Sequence, residues 1–204
     1  MTTRFTRLTA VALAYEPINV DTDQIIPARF LKFPRSEGYG RFLFHDLRFA
    51  DDGSELPDFV LNREPFRHAQ ILVGNDNFAC GSSREGAVYA FADHGIRALI
   101  APSFSDIFFN NCLKNGVVPA RLPAPVCARL RKMIAEKPGT QLTVDLEASQ
   151  VVEPDGATHA FTIDAFFREM MLAGVDEIGF TRGLIAEIEG FEKSYSREAP
   201  WVAG

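Results

Sequence analysis

Between residues 68 and 139 a short apolar run alternates three times with a longer segment of helical character, and this constrains the fold more than any other feature. HAQILVG, IRALIAP and VVPARL read as strands. SSREGAVYAFADHG, SFSDIFFNNCLKNG and PAPVCARLRKMIAEKPG read as helices, stopped at Gly95, at Asn115-Gly116 and at a closing proline. Strands alternating with helices of this length make βαβ units, so the expected class is α/β with a mainly parallel central sheet and helices packed on it. FTRLTAVALA supplies a first strand; it has no small-residue cleavage site and reads as structure, not as a signal peptide.

The flanks behave differently. From residue 33 to 64 no period is sustained, yet Phe42, Phe44, Phe49 and Phe59 are more apolar matter than a disordered linker holds. A lid or partner-facing insertion is expected there. Over 140–163, QLTVDLEASQVV, the turn EPDGA and THAFTI predict a β-hairpin. DAFFREMMLAG predicts a helix capped by Asp164 and stopped by Gly174, and TRGLIAEIEGFEKSY a last helix, with 190–204 ending as a loose tail. Residues 1–204 are thus expected to form a single domain.

Charge and thiols narrow the functions. The net charge of −6, from 27 acids and 21 bases, argues against a nucleic-acid binder, and the absence of an eighteen-residue apolar run argues against a membrane span. Cys80, Cys112 and Cys127 are odd in number and widely spaced, which disfavours a disulfide framework or zinc site and points to the cytoplasm. Three thiols can in principle hold an iron–sulfur cluster, but this spacing does not match the usual close-set ligands.

The richest stretch for chemistry is ILVGNDNFACGSSREGAVYA, where a strand runs through a loop into Gly81-Ser82-Ser83-Arg84 at a helix start. Helix N-termini offer unpaired N–H groups to oxyanions, Arg84 adds a carboxylate fork, and Gly81 permits close backbone approach. A hydroxyl held there can be stabilised as an alkoxide. The same residues also fit a ligand-free capping box of Ser82 with Glu85. The intervals match neither a Walker loop nor G-x-G-x-x-G.

Asp21-Thr22-Asp23 can hold a metal, orient another side chain, or simply accept backbone hydrogen bonds. Arg29, Lys32, Arg35 and Arg41 form a cationic set suited to a dianion, or scattered surface charge. His45, His68, His94 and His159 lack ligand spacing. Asp106 and Asn110, one helical turn apart behind a possible Ser103 cap, read as structural.

In order and spacing, NVDTDQIIPARFLK, DNFACGSSREGA, LIAPSFSDIFFNNCLKNGVVP and HAFTIDAFFREMMLAGVDEIG resemble the small subunit of 3-isopropylmalate dehydratase, over roughly residues 5–180. This is the swivel-domain subunit of the aconitase superfamily, a swivelling β/β/α domain. The resemblance implies leucine biosynthesis by dehydration and rehydration, a partner large subunit carrying a [4Fe–4S] cluster, no metal on this chain, and a small dicarboxylate substrate. It further implies Ser82 as alkoxide base, Ser83 as its hydrogen-bonding aid, Arg84 as carboxylate clamp, and Thr22 and Asp23 as a motif placing an acid in the active site. Lys32 and Arg35 fall in the region that sets substrate choice. One position departs: the family usually has histidine after S-R-E, and this chain has Gly86. That leaves base and clamp but opens the substrate to related malate-like diacids such as dimethylmalate or citraconate. A non-catalytic carboxylate-binding swivel module is the reading from another class.

Overall fold

The computed structural model describes residues 4–81, 84–199 and 201. Among these residues seven strands form one sheet: β1 (Arg7–Ala14), β2 (Ile71–Val73), β3 (Ala98–Ala101), β4 (Val118–Arg121), β5 (Gln141–Asp145), β6 (Gln150–Val152) and β7 (Thr158–Ala160), in the order β4-β3-β2-β1-β5-β6-β7. The class is α/β. From β1 to β4 all neighbours are parallel, as the βαβ alternation requires, while β5, β6 and β7 add in antiparallel fashion. The sheet is therefore mixed. β1 joins its halves, pairing Ala12 with Ile71 on one side and Leu8 with Val144 on the other.

The expected C-terminal hairpin is a three-stranded meander belonging to this same sheet. Within QLTVDLEASQVV the chain reverses, because Asp145 Oδ1 accepts from Ala148 N at 2.8 Å and Ser149 takes a left-handed φ of 51°.

Among the described residues there are eight α-helices: α1 (Thr22–Ile25), α2 (His45–Arg48), α3 (Glu85–His94), α4 (Asp106–Lys114), α5 (Ala124–Glu136), α6 (Ala165–Ala173), α7 (Glu177–Gly183) and α8 (Ile185–Glu198). The expected stops hold, with Gly95 and Gly174 as left-handed C-caps and Asp164 as the N-cap of α6. Residues 190–198, expected as part of a loose tail, belong to α8. Among its exposed side chains are Ile185, Phe191 and Tyr195. No helix among the described residues is long and apolar enough to cross a membrane.

Strand alternation divides the interior into two cores. Leu72 and Leu99 point into one with α3; Ile71, Val73, Ala98 and Ile100 point into the other with α5. The first core consumes much of the phenylalanine: Phe44 stacks on Tyr15 at 4.9 Å, and Phe78 and Phe91 each meet Phe108 edge-on. Each such ring contributes about 1.5–3 kcal/mol by burial. Phe42, Leu43, Phe44 and Leu61 are buried there, so much of segment 33–64 is stitched into the core through short 3-10 turns and α2.

Candidate active site

Loops leaving the carboxyl ends of β1, β2 and β3 converge on one edge of the sheet, where ligands of parallel α/β sheets bind. Backbone bonds lace them together. Thr22 N donates to Cys80 O and Cys80 N to Val20 O, both at 2.9 Å, and Phe78 N donates to Ser103 O at 3.0 Å. Ser105 Oγ donates to Ala79 O at 2.7 Å while capping α4 by accepting from Phe108 N. Ser103, the expected cap, instead accepts from Asn77 N at 2.7 Å and donates to Asp76. Asn19, Asn77 and Ala79 have positive φ, of 53°, 53° and 57°. Asparagine tolerates that region; for alanine it costs about 1–2 kcal/mol, which the surrounding bonds must hold in place.

Asp21 is the N-cap of α1. It accepts from Asp23 N at 2.7 Å, and Gln24 Oε1 accepts from Asp21 N at 3.3 Å, completing a capping box. The backbone-acceptor reading thus holds for Asp21. Its carboxylate lies against Gly81, whose φ is +89°. A Cβ at position 81 would run into that carboxylate, so both conformation and space demand glycine.

α3 begins at Glu85 with Arg84 as its N-cap and no side-chain cap bond from Arg84, while the capping box read at Ser82 with Glu85 includes a residue outside the described ones. Ser82 and Ser83 themselves lie outside the described residues.

A cleft of about 290 Å³ opens here, lined by Thr22, Gly81 and Arg84 and by Ser105 to Phe108 of the α4 start. The Arg84 side chain is only 18% exposed, and its Nη1 meets Asp23 Oδ1 as an ion pair. That contact lacks hydrogen-bond geometry, so the buried Nη1 makes no hydrogen bond. The guanidinium is compensated by Asp23 on one side, and its planar fork still offers donors that a carboxylate in the cleft can engage.

Of the remaining candidates, Thr22 is buried on the cleft wall and Asp23 is its exposed ion-pairing neighbour. Lys32 and Arg35 do not line the cleft. Lys32 lies 5.5 Å from the Phe33 ring, while Arg35 stacks on Tyr89 at 4.0 Å and bonds Asp93 and Asn115 at 3.3 and 3.2 Å. Arg29 pairs with Asp46, and Arg41 with Glu37. Asp106 does line the cleft, though its carboxylate pairs with Arg121 at 3.1 Å. Ile107 and Phe108 are cleft residues that the sequence pattern left unmarked. The available signal was Ser-x-x-Phe at a helix start, which many helices carry.

Gly86 is buried, and a Cβ on it would lie 2.6 Å from Leu31 Cδ2 and 3.2 Å from Tyr39. Leu31 thus fills room that a larger residue would need.

The histidines stand apart from the cleft. His159 bonds Glu153, His45 and His68 lie beside Asp46 and Glu64, and burial lowers His94 to about 4. The thiols do not fit a cluster, because Cys112 is in one core and Cys127 in the other. Burial pushes Cys112 well up and Cys127 to about 11, against thiolate formation. Among the described residues no three His, Cys, Asp or Glu side chains gather to hold a metal ion.

Comparison with known proteins matches residues 2–125 to the family described as the aconitase C-terminal domain and 128–165 to that described as LeuD_N. A 3-isopropylmalate dehydratase small subunit from Gluconobacter oxydans is 52% identical over 98% of this chain and 95% of its own length. The chain belongs to the 3-isopropylmalate dehydratase small-subunit family. Another member, from Rhodospirillum centenum, is 49% identical over 98% of this chain and 99% of its own. In fold, this family member is similar to 3-isopropylmalate dehydratase from Methanocaldococcus jannaschii, with a TM-score of 0.65 and 23% identity over 90% of this chain and 99% of that one.

Proposed function

We propose that this chain is the small subunit of a cytoplasmic hydro-lyase that isomerises 2-isopropylmalate to 3-isopropylmalate in leucine biosynthesis. It acts with a large subunit that carries the [4Fe–4S] cluster. The observation that carries the reading is the largely buried Arg84 guanidinium at the cleft wall, paired with Asp23 beside Thr22 and Gly81. Arg84 grips one substrate carboxylate and Asp23 holds the guanidinium until it does. Clamping fixes the carbon next to the carboxylate against the serine turn. Ser82 Oγ, as alkoxide, takes the proton from that carbon while the hydroxyl on the neighbouring carbon leaves with its C–O bond pair, forming the double bond, and Ser83 steadies Ser82 by hydrogen bonding. On rehydration hydroxide adds to the carbon that lost the proton, and Ser82 gives the proton to the neighbouring carbon. The large subunit's cluster supplies Lewis-acid polarisation of the substrate hydroxyl.

Arg35 is committed to Asp93 and Asn115, so within this reading it holds the loop in place, while Lys32 adds positive field. Leu31 seated over Gly86 fills the space of the family histidine without lining the cleft, so the substrate read here stays a diacid with an alkyl branch. Dimethylmalate and citraconate share that chemistry and are the competing substrates.

Mixing the chain with its large subunit and following 2-isopropylmalate tests the proposal. Turnover is expected, and Ser82→Ala should lower kcat by at least about a hundredfold with the complex still assembled. Full activity in Ser82→Ala would remove the base from this chain. Turnover of dimethylmalate or citraconate alone would reassign the substrate, and carboxylate binding without any turnover would leave a non-catalytic module.

A further inference from the structure

Ile107 is 53% exposed on the first turn of α4 and lines the same cleft as Arg84. Single exposed isoleucines are ordinary on protein surfaces, so exposure alone argues nothing. Its surroundings are specific. Ser105 caps α4 and ties its start to Ala79 O at 2.7 Å, which fixes the first turn relative to the Gly81 loop. Asp106 turns to Arg121 at 3.1 Å, and Phe108 is buried. Among the described lining residues Ile107 is therefore the exposed apolar side chain, in the same cleft as the Arg84 guanidinium that pairs with Asp23.

We infer that Ile107 is a specificity-determining residue that covers the alkyl branch of a 2-alkyl diacid whose carboxylate is held by Arg84. The inference rests on the dehydratase reading above and deepens it. Arg84 and Ile107 line one cleft of about 290 Å³, so a small diacid held by Arg84 lies in the space that Ile107 borders. Removing the alkyl branch from water on Ile107 favours the branched diacid, whereas the unbranched one gains nothing from the contact. Differential burial of one or two methyl groups is worth roughly tenfold in kcat/KM.

Ile107→Ala and Ile107→Val in the assembled two-subunit enzyme test this, with 2-isopropylmalate and 2-methylmalate as paired substrates. The residue is exposed and alanine is the better helix former, so the melting temperature should not fall. The expected result is about a tenfold lower kcat/KM on the isopropyl substrate for Ile107→Ala, within about twofold of wild type on the methyl one, and Ile107→Val in between. An equal fall on both substrates, or no change on either, overturns the inference while leaving the dehydratase reading intact. Loss of assembly in sedimentation with selectivity unchanged also overturns it, since Ile107 then meets the large subunit. A wild-type complex that turns over neither substrate removes the dehydratase reading and this inference with it.

Discussion

At position 84 two demands meet in one side chain. As the proposed carboxylate clamp, Arg84 must be rigid enough to aim and still open to a second carboxylate. Its largely buried side chain and its ion pair with Asp23 fit the first demand, and its place on the cleft wall fits the second. Lysine keeps the charge but loses the planar fork, so it cannot engage a carboxylate through two parallel bonds. Arg84→Lys is therefore expected to lower kcat/KM by roughly 10- to 100-fold, about 1.4–2.7 kcal/mol, chiefly through KM. Steady-state kinetics on the assembled enzyme would show it. An unchanged KM would mean that the carboxylate binds elsewhere. Gly81 shows the same economy: its left-handed φ and the Asp21 carboxylate at its back leave room for no side chain.

Among the elements, α4 is the pivot. Its N-cap Ser105 serves its own helix and one loop, accepting from Phe108 N at 3.4 Å and donating to Ala79 O at 2.7 Å. Ala79 is itself held at a positive φ of 57°. Ser105→Ala removes a cap and leaves the Ala79 carbonyl without that partner, so a loss of about 1–2 kcal/mol is expected in denaturant unfolding. A change below about 0.5 kcal/mol would show that the cap carries little. Sequence identified α4 and its Asn115-Gly116 stop, but placed the cap at Ser103. Both serines precede the same apolar pattern, and only the packing of the Ala79 loop chooses between them.

For the whole molecule, acid stability follows from where ionisable groups are buried. Burial, followed by the nearby Arg48 charge, lowers His94 from an ordinary 6.5 to about 4. Between those values the unfolded chain binds a proton that the folded chain refuses, so stability falls as pH drops from 6.5 towards 4. Glu153, bonded by Arg129 and His159, is held below its usual 4.5. Its contribution is present above 4.5 and is lost as pH falls through the lowered folded value, in the same direction at lower pH. Urea unfolding at pH 7 and pH 5 is expected to show lower stability at pH 5, with the difference reduced in His94→Gln. Equal slopes in the two proteins would assign the effect to other groups.

The α/β class, the parallel strands with their intervening helices and the glycine stops follow from local periodicity and capping chemistry, which neighbouring residues encode. So did the family, through D-T-D-x-I-I-P with C-G-S-S-R-E. What only the tertiary structure decided depends on contacts between distant residues. β5 to β7 extend the same sheet because β1 has a free edge for an antiparallel neighbour. Much of segment 33–64 is core because Phe42 and Phe44 find Phe30, Tyr15 and Phe91. Arg35 is tied to Asp93 and Asn115, whereas Arg84 lies on the cleft, since a charge reveals its partner only once helices and loops have packed. Ile107 entered the cleft in the same way, once the Ser105 bond to Ala79 O tied the start of α4 to the loop that ends at Gly81.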